Sequence, residues 1–176
     1  MAVLTRTGLC VLALVLTAAC RTGPEQWGPF RGRVVDAETG MAIAGAHVMV
    51  LWERDIPSPA HWTQTFYDAQ EGMTDTDGYF EIPRETRFFT ALVSRPRFAV
   101  FAPGYLPQAE EVTPPDGRLY VDPTVLTMRP LKTREDRCRH RPGAPGVPPN
   151  ELTNFVEAVQ RYTTELKCWE LREAQP

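Results

Sequence analysis

Between residues 29 and 131, apolar side chains recur at every second position in several short stretches, and turn residues separate those stretches. No other feature limits the fold as tightly, because alternation of period two places apolar side chains on one face of a strand. In the stretch from Phe30, residues Phe30, Gly32 and Val34 alternate with Arg31, Arg33 and Val35. Asp36 to Gly40 then turns the chain, since Asp accepts from amides just ahead and Gly tolerates positive φ. Ala46, Val48, Val50 and Trp52 alternate with His47, Met49 and Leu51, which makes both faces of a second strand apolar, as suits an inner position. A short strand at Tyr79–Ile82 ends at Pro83, and Thr90 to Phe101 alternates again around Arg95-Pro96. A turn at 102–105 and a Pro-Asp-Gly turn at 115–117 precede a last pair of strands, Arg118–Val121 and Val125–Met128. Such strands, parted by turns at intervals of roughly 8–12 residues, predict an all-β sandwich. Seventeen prolines and twelve glycines suit that architecture better than a helical bundle.

Residues 53–72 obey the pattern least. Pro57 and Pro59 exclude a central strand beside them. His61 to Tyr67 forms a weak candidate strand, with Trp62, Gln64 and Phe66 on one face and His61, Thr63, Thr65 and Tyr67 on the other. Residues 74–83, TDTDGYFEIP, resemble the start of a calcium loop. A loop opened at Asp75 fails, because Tyr79 takes a ligand position, Phe80 the place of the glycine and Thr86 the place of the last carboxylate. As a turn the stretch succeeds: Asp77-Gly78 is a hairpin dipeptide, with Phe80 and Ile82 pointing inward and Glu81 outward.

The C-terminal part changes character. Residues 132–149 are basic and then rich in Gly and Pro, which predicts a linker. A helix is expected over 150–172, with Asn150 as its cap and Glu151 in its first turn. Leu152, Phe155, Val156, Val159, Tyr162, Leu166 and Trp169 form one apolar stripe. The stripe suits docking on the chain's own domain, with a partner-binding helix as the alternative.

At the other end, one positive charge, Arg6, precedes an apolar run too short to span a bilayer, then the small residues Thr17-Ala18-Ala19, then Cys20. This stretch resembles a bacterial lipoprotein signal. The resemblance implies a signal peptide at 1–19, cleavage before Cys20 and acylation of Cys20 with palmitate-like chains. Thr17 stands where that family most often has Leu. Arg21, where retained lipoproteins usually carry Asp, implies an outer-membrane address facing the periplasm. Residues 20–28 are expected to be a tether. After Cys10 leaves and Cys20 is acylated, Cys138 and Cys168 remain, and an even pair in an oxidising compartment predicts a disulfide. A metal or redox pair is the alternative, for which no CxxC and no histidine spacing is present.

The residues from Gly32 to Val48, then Thr74, Asp75, Gly78 and Phe80, then Ala102, Gly104 and Tyr105 together resemble the carboxypeptidase regulatory-like domains. That resemblance covers about residues 29–131 and implies a transthyretin-like sandwich of seven strands. Ala42 stands where the family often has Pro, and the C-terminal helix lies outside its pattern. Neither resemblance implies a reaction or a cofactor. A net charge of −3 offers no global attraction to nucleic acid. The expectation is therefore a non-catalytic binding or scaffold module of the cell envelope, anchored through Cys20, with an envelope protein or a glycan as partner. Trp52, Trp62, Phe66 and Tyr67 are the candidate contacts for a carbohydrate, since aromatic rings stack on sugar faces. Were the chain an enzyme, His61, Asp68 and Glu71 would be the candidate groups.

Overall fold

The computed structural model of the chain describes residues 25–59, 61–88, 92–94, 96–111, 124–140, 142, 147–148 and 154–173. Cys20 and the signal segment lie outside them, as do the 115–117 turn, Arg118–Val121, Asn150, Glu151 and Leu152.

Nine strands are described: β1 (Glu25–Trp27), β2 (Phe30–Asp36), β3 (His47–Pro57), β4 (Trp62–Met73), β5 (Tyr79–Ile82), β6 (Glu85–Arg87), β7 (Arg97–Phe101), β8 (Gln108–Glu111) and β9 (Thr124–Met128). Three helical segments follow, α1 (Arg134–Arg139), α2 (Asn154–Leu166) and α3 (Cys168–Glu173). The protein is mostly β, with a small C-terminal helical part. The strands form a four-stranded sheet in the order β4-β3-β7-β8, a three-stranded sheet β5-β2-β9 and a two-stranded sheet β1-β6. β2 pairs antiparallel with β5 on one side and parallel with β9 on the other.

The main core lies between the two larger sheets. Val48, Val50 and Trp52 of β3 and Phe98 and Val100 of β7 meet Phe30 and Val34 of β2, Phe80 and Ile82 of β5 and Leu126 and Met128 of β9. Alternation explains this, since the core residues of each strand are two or four apart and so share a face. The opposite face of β3 and β7 is buried as well: Met49, Ala99 and Phe101 pack with Phe155 and Val159 of α2. The both-sided apolar character of the second predicted strand thus has two causes, the sandwich on one face and the helix on the other. Among the described residues no helix is long and apolar enough to cross a membrane.

Four expectations need correction. Residues 25–27 are not tether but the strand β1, paired with β6 from Glu25↔Arg87 to Trp27↔Glu85. Trp27 is buried, with its ring stacked on Trp52 at 4.5 Å, and that contact holds the segment in place. The predicted linker contains α1, whose Thr133 caps it by accepting from the Asp136 amide. The helical tail is broken at Lys167, which takes a φ of 47°. Finally, the TDTDG stretch turns the chain but closes no hairpin. It carries the chain from β4 in one sheet to β5 in the other. The Asp75 carboxylate accepts from the amides of Asp77 and Tyr79. Gly78 sits at φ +77°, where a Cβ would come within 2.6 Å of the Val34 carbonyl oxygen, so glycine alone fits.

Candidate functional site

The pocket that stands out among the described residues is an open cleft of about 420 Å³ between α2 and the start of the β3–β4 ladder. His47 of β3, Glu71, Gly72 and Met73 of β4 and Asn154, Glu157, Ala158 and Arg161 of α2 line it. His47 and Met73 are cross-strand partners, so the cleft opens at one end of the four-stranded sheet. Glu157 and Arg161 are one helical turn apart and face it together.

The helix is held over the cleft by side chains at both of its ends. The Glu71 carboxylate accepts from the Asn154 amide at 3.0 Å, the Phe155 amide at 2.9 Å and the Asn154 side-chain amide at 2.6 Å. A carboxylate at the amide-rich start of a helix also suits the helix dipole. At the far end Arg134 donates to the carbonyls of Leu166 and Lys167 and pairs with Glu170 at 2.7 Å. The Cys138–Cys168 disulfide ties α1 to the start of α3 beside this junction, with Cα atoms 5.5 Å apart. Midway, the Gly104 amide donates to the Tyr162 hydroxyl at 3.1 Å, fixing the helix to the Ala102–Tyr105 turn.

The His47 ring stacks on Phe101 at 6.3 Å. Burial pushes its pKa below the usual 6.5, against the pull of the nearby Glu71 carboxylate and with some help from Arg161. At neutral pH the cleft therefore offers a neutral imidazole beside an exposed carboxylate, Glu157, and an exposed guanidinium, Arg161. No hydroxyl or thiol side chain is among the described lining residues. Among the described residues, no group of three or more His, Cys, Asp and Glu side chains is placed to hold a metal ion.

The four aromatic candidates do not form one platform. Trp52 is buried in the main core, stacked on Trp27. Tyr67 packs on that same core, with its ring 5.8 Å from Trp27 and 4.4 Å from the Arg54 guanidinium carbon. An irregularity in the β3–β4 register divides them from the others: Trp52 faces Asp68, Glu53 faces Phe66, and Tyr67 is the extra residue between. Trp62 and Phe66 lie on the other face of the ladder, and Trp62 is exposed. The sequence alternation of residues 61–67 was sound, but it could not reveal that Trp52 faces away from Trp62.

The three candidate catalytic groups are also separated. His61 is exposed at the far end of β4. Asp68 is paired with Arg87 of β6 on the sandwich face. Glu71 caps α2 on the opposite face. His47, Glu157 and Arg161 were not legible as site residues. Their only signal was position: His47 on a strand face otherwise apolar, and the other two on the polar side of the helical stripe.

No family model and no curated protein matches the chain. Among solved structures, a crystal structure of a 9R-lipoxygenase from Cyanothece PCC8801 aligns with a TM-score of 0.30 and 13% identity. The alignment covers 96% of this chain and 29% of that one.

Proposed function

We propose that the chain is a lipid-anchored, non-catalytic binding or scaffold module of the bacterial cell envelope, built on a carboxypeptidase regulatory-like, transthyretin-like sandwich. In this reading Cys20 carries the acyl chains, and the domain faces the periplasm from the outer membrane. What supports the reading is that the two larger sheets, of three and four strands, pack face to face around one core. The Asp36 turn fits the same scheme. Its carboxylate accepts from the amides of Glu38 and Thr39 at 2.8 Å, and Tyr105 hydrogen-bonds to it from the other sheet's connection.

One observation carries the binding role: Glu71, which lines the cleft, and Asp68, close to it on β4, are engaged in holding a helix and a strand. What the cleft presents outward is the Glu157–Arg161 pair beside His47, a polar surface suited to recognition. The occupant of this cleft is an envelope protein or glycan.

The test is capture on the lipidated chain from detergent-solubilised envelope, with bound material identified by mass spectrometry. A reproducible protein or glycan is expected, with recovery reduced by Arg161→Glu. Recovery of nothing above an unrelated lipoprotein control would overturn the binding role.

A further inference from the structure

The β3–β4 ladder runs on past the rest of its sheet. β7 pairs with β3 only from His47 to Leu51, whereas β4 follows β3 to the pair Pro57↔Trp62. The outer part, Glu53–Pro57 against Trp62–Phe66, forms an arm. Residues 92–94 lie along it, with the Asp55 amide donating to the Leu92 carbonyl and the Ser94 amide to the Glu53 carbonyl. Large apolar side chains are exposed around this arm: Trp62 at 63%, Leu92 at 54% and Ile56 at 45%, with Phe88 at 56% beside its base. The other exposed ones are scattered. Met73 sits at the opposite end of β4, and Tyr79 and Val125 flank Arg33 in the other sheet.

The chain enters the domain at this same end. Gln70 contacts Glu85, Asp68 pairs with Arg87, and the Tyr67 hydroxyl donates to the Phe88 carbonyl. β6 therefore runs toward the arm's tip as its numbers rise. β1 is antiparallel to β6, so its first residue, Glu25, lies at the end of β1 nearer the tip. From Cys20 to Glu25 there are five steps, a reach of at most about 18 Å when fully extended. Trp52 faces Asp68, level with Arg87, and Pro57 faces Trp62; the five ladder steps between these pairs span about 17 Å. An anchor at Cys20 thus keeps the tip of the arm within reach of the surface to which it is attached.

We propose that the tip of the β3–β4 arm is a membrane-contact site, and that Trp62, with Leu92 nearby and Ile56 on the arm's other face, inserts into the interface of the bilayer that holds the lipid anchor. Tryptophan favours that depth, where its ring meets lipid and its N–H meets water. The proposal rests on acylation of Cys20. It goes beyond the binding reading by fixing which end of the domain faces the membrane. The arm's contact would leave the Glu157–Arg161 cleft, at the opposite end of β3–β4, directed away from the lipid.

The experiment uses the purified full-length mature chain, reconstituted in vesicles of phosphatidylethanolamine and phosphatidylglycerol with or without bromine on the acyl chains. Intact mass first reports whether Cys20 is acylated. Brominated lipid is expected to quench part of the tryptophan emission, and Trp62→Phe is expected to abolish that quenched part while leaving the circular dichroism spectrum unchanged. An acylated chain that floats with vesicles but shows no quenching assignable to Trp62 overturns the contact site and leaves the anchor standing. A mature chain without acyl groups overturns the anchor and this proposal with it.

Discussion

The two halves of the β3–β4 ladder pair the same two strands and differ in almost everything else. In the inner half, His47–Trp52, five consecutive residues from Val48 to Trp52 are buried, one face on the sandwich and the other on α2. In the outer half, Glu53 to Pro57, no residue is buried. The register slip between Trp52 and Glu53 marks the border. Backbone pairing alone therefore does not make a strand part of a core; a layer of apolar side chains on at least one face does. The inner half is the structural part of the domain, and the outer half is free to contact something else.

Substitutions can break this comparison. Trp52→Ala is expected to cost about 3–5 kcal/mol, because it leaves a cavity against Trp27 and Phe30. Urea unfolding of the pair Trp52→Ala and Trp62→Ala is the direct check, and equal losses would erase the distinction. Removing the helix's covalent brace comes next. Cys138→Ser with Cys168→Ser opens a loop closed at a separation of 30 residues, for an expected loss of about 3–4 kcal/mol in the chain-entropy account. Hydrogen exchange should show the added opening in α2 and in the Met49 and Phe101 strands, while the arm's exchange stays as it was. Glu71→Ala is expected to cost about 1–3 kcal/mol, since two amides at the start of α2 lose a charged acceptor. Thermal unfolding followed at the helical band of the circular dichroism spectrum would read it.

His47 sharpens the comparison through pH. Its folded pKa lies below the unfolded 6.5, so the unfolded chain takes up the proton first as pH falls. Above 6.5 the group makes no difference to stability. Below 6.5 stability declines, until pH passes the lowered folded value. Melting temperatures measured from pH 7.5 down to about 5 should show this decline, and His47→Gln should remove part of it. The smallest effect is expected at the arm: Trp62→Ala should change stability by less than about 0.5 kcal/mol, as for an exposed site without buried partners.

What could be read in the sequence was what local pattern encodes. The alternation of Val48, Val50 and Trp52 and of Phe80 and Ile82 correctly placed those side chains inside. The stripe of α2 was correct for Phe155, Val156, Val159 and Leu166, which are buried. The cysteine pairing was legible because only two candidates remained. Other features depend on residues far apart in the chain. Nothing within Glu25–Trp27 signals a strand, and its partner β6 is some sixty residues on. The Asp77-Gly78 turn has the chemistry of a hairpin, yet the strand after it finds a better partner in β2. The long β4 was obscured by Pro57 and Pro59, which sit at the tip, where among the described residues no third strand needs their missing amides. The cleft was illegible for the same reason, since it exists only where α2 meets a sheet end.

The parallel pairing of β2 with β9 sets a schedule for making the molecule. Gly32 meets Thr124, so the first long strand cannot be sealed on that side until some ninety further residues have emerged. A chain emerging from its N-terminus would carry β2 with an unpaired edge for most of its synthesis, although β5 can cover the other edge earlier. Closure of the sandwich is thus a late event, and α2 later still, because its seat needs β3 and β7 already side by side. During that interval an open strand edge is exposed to other chains, and a holding chaperone would act there.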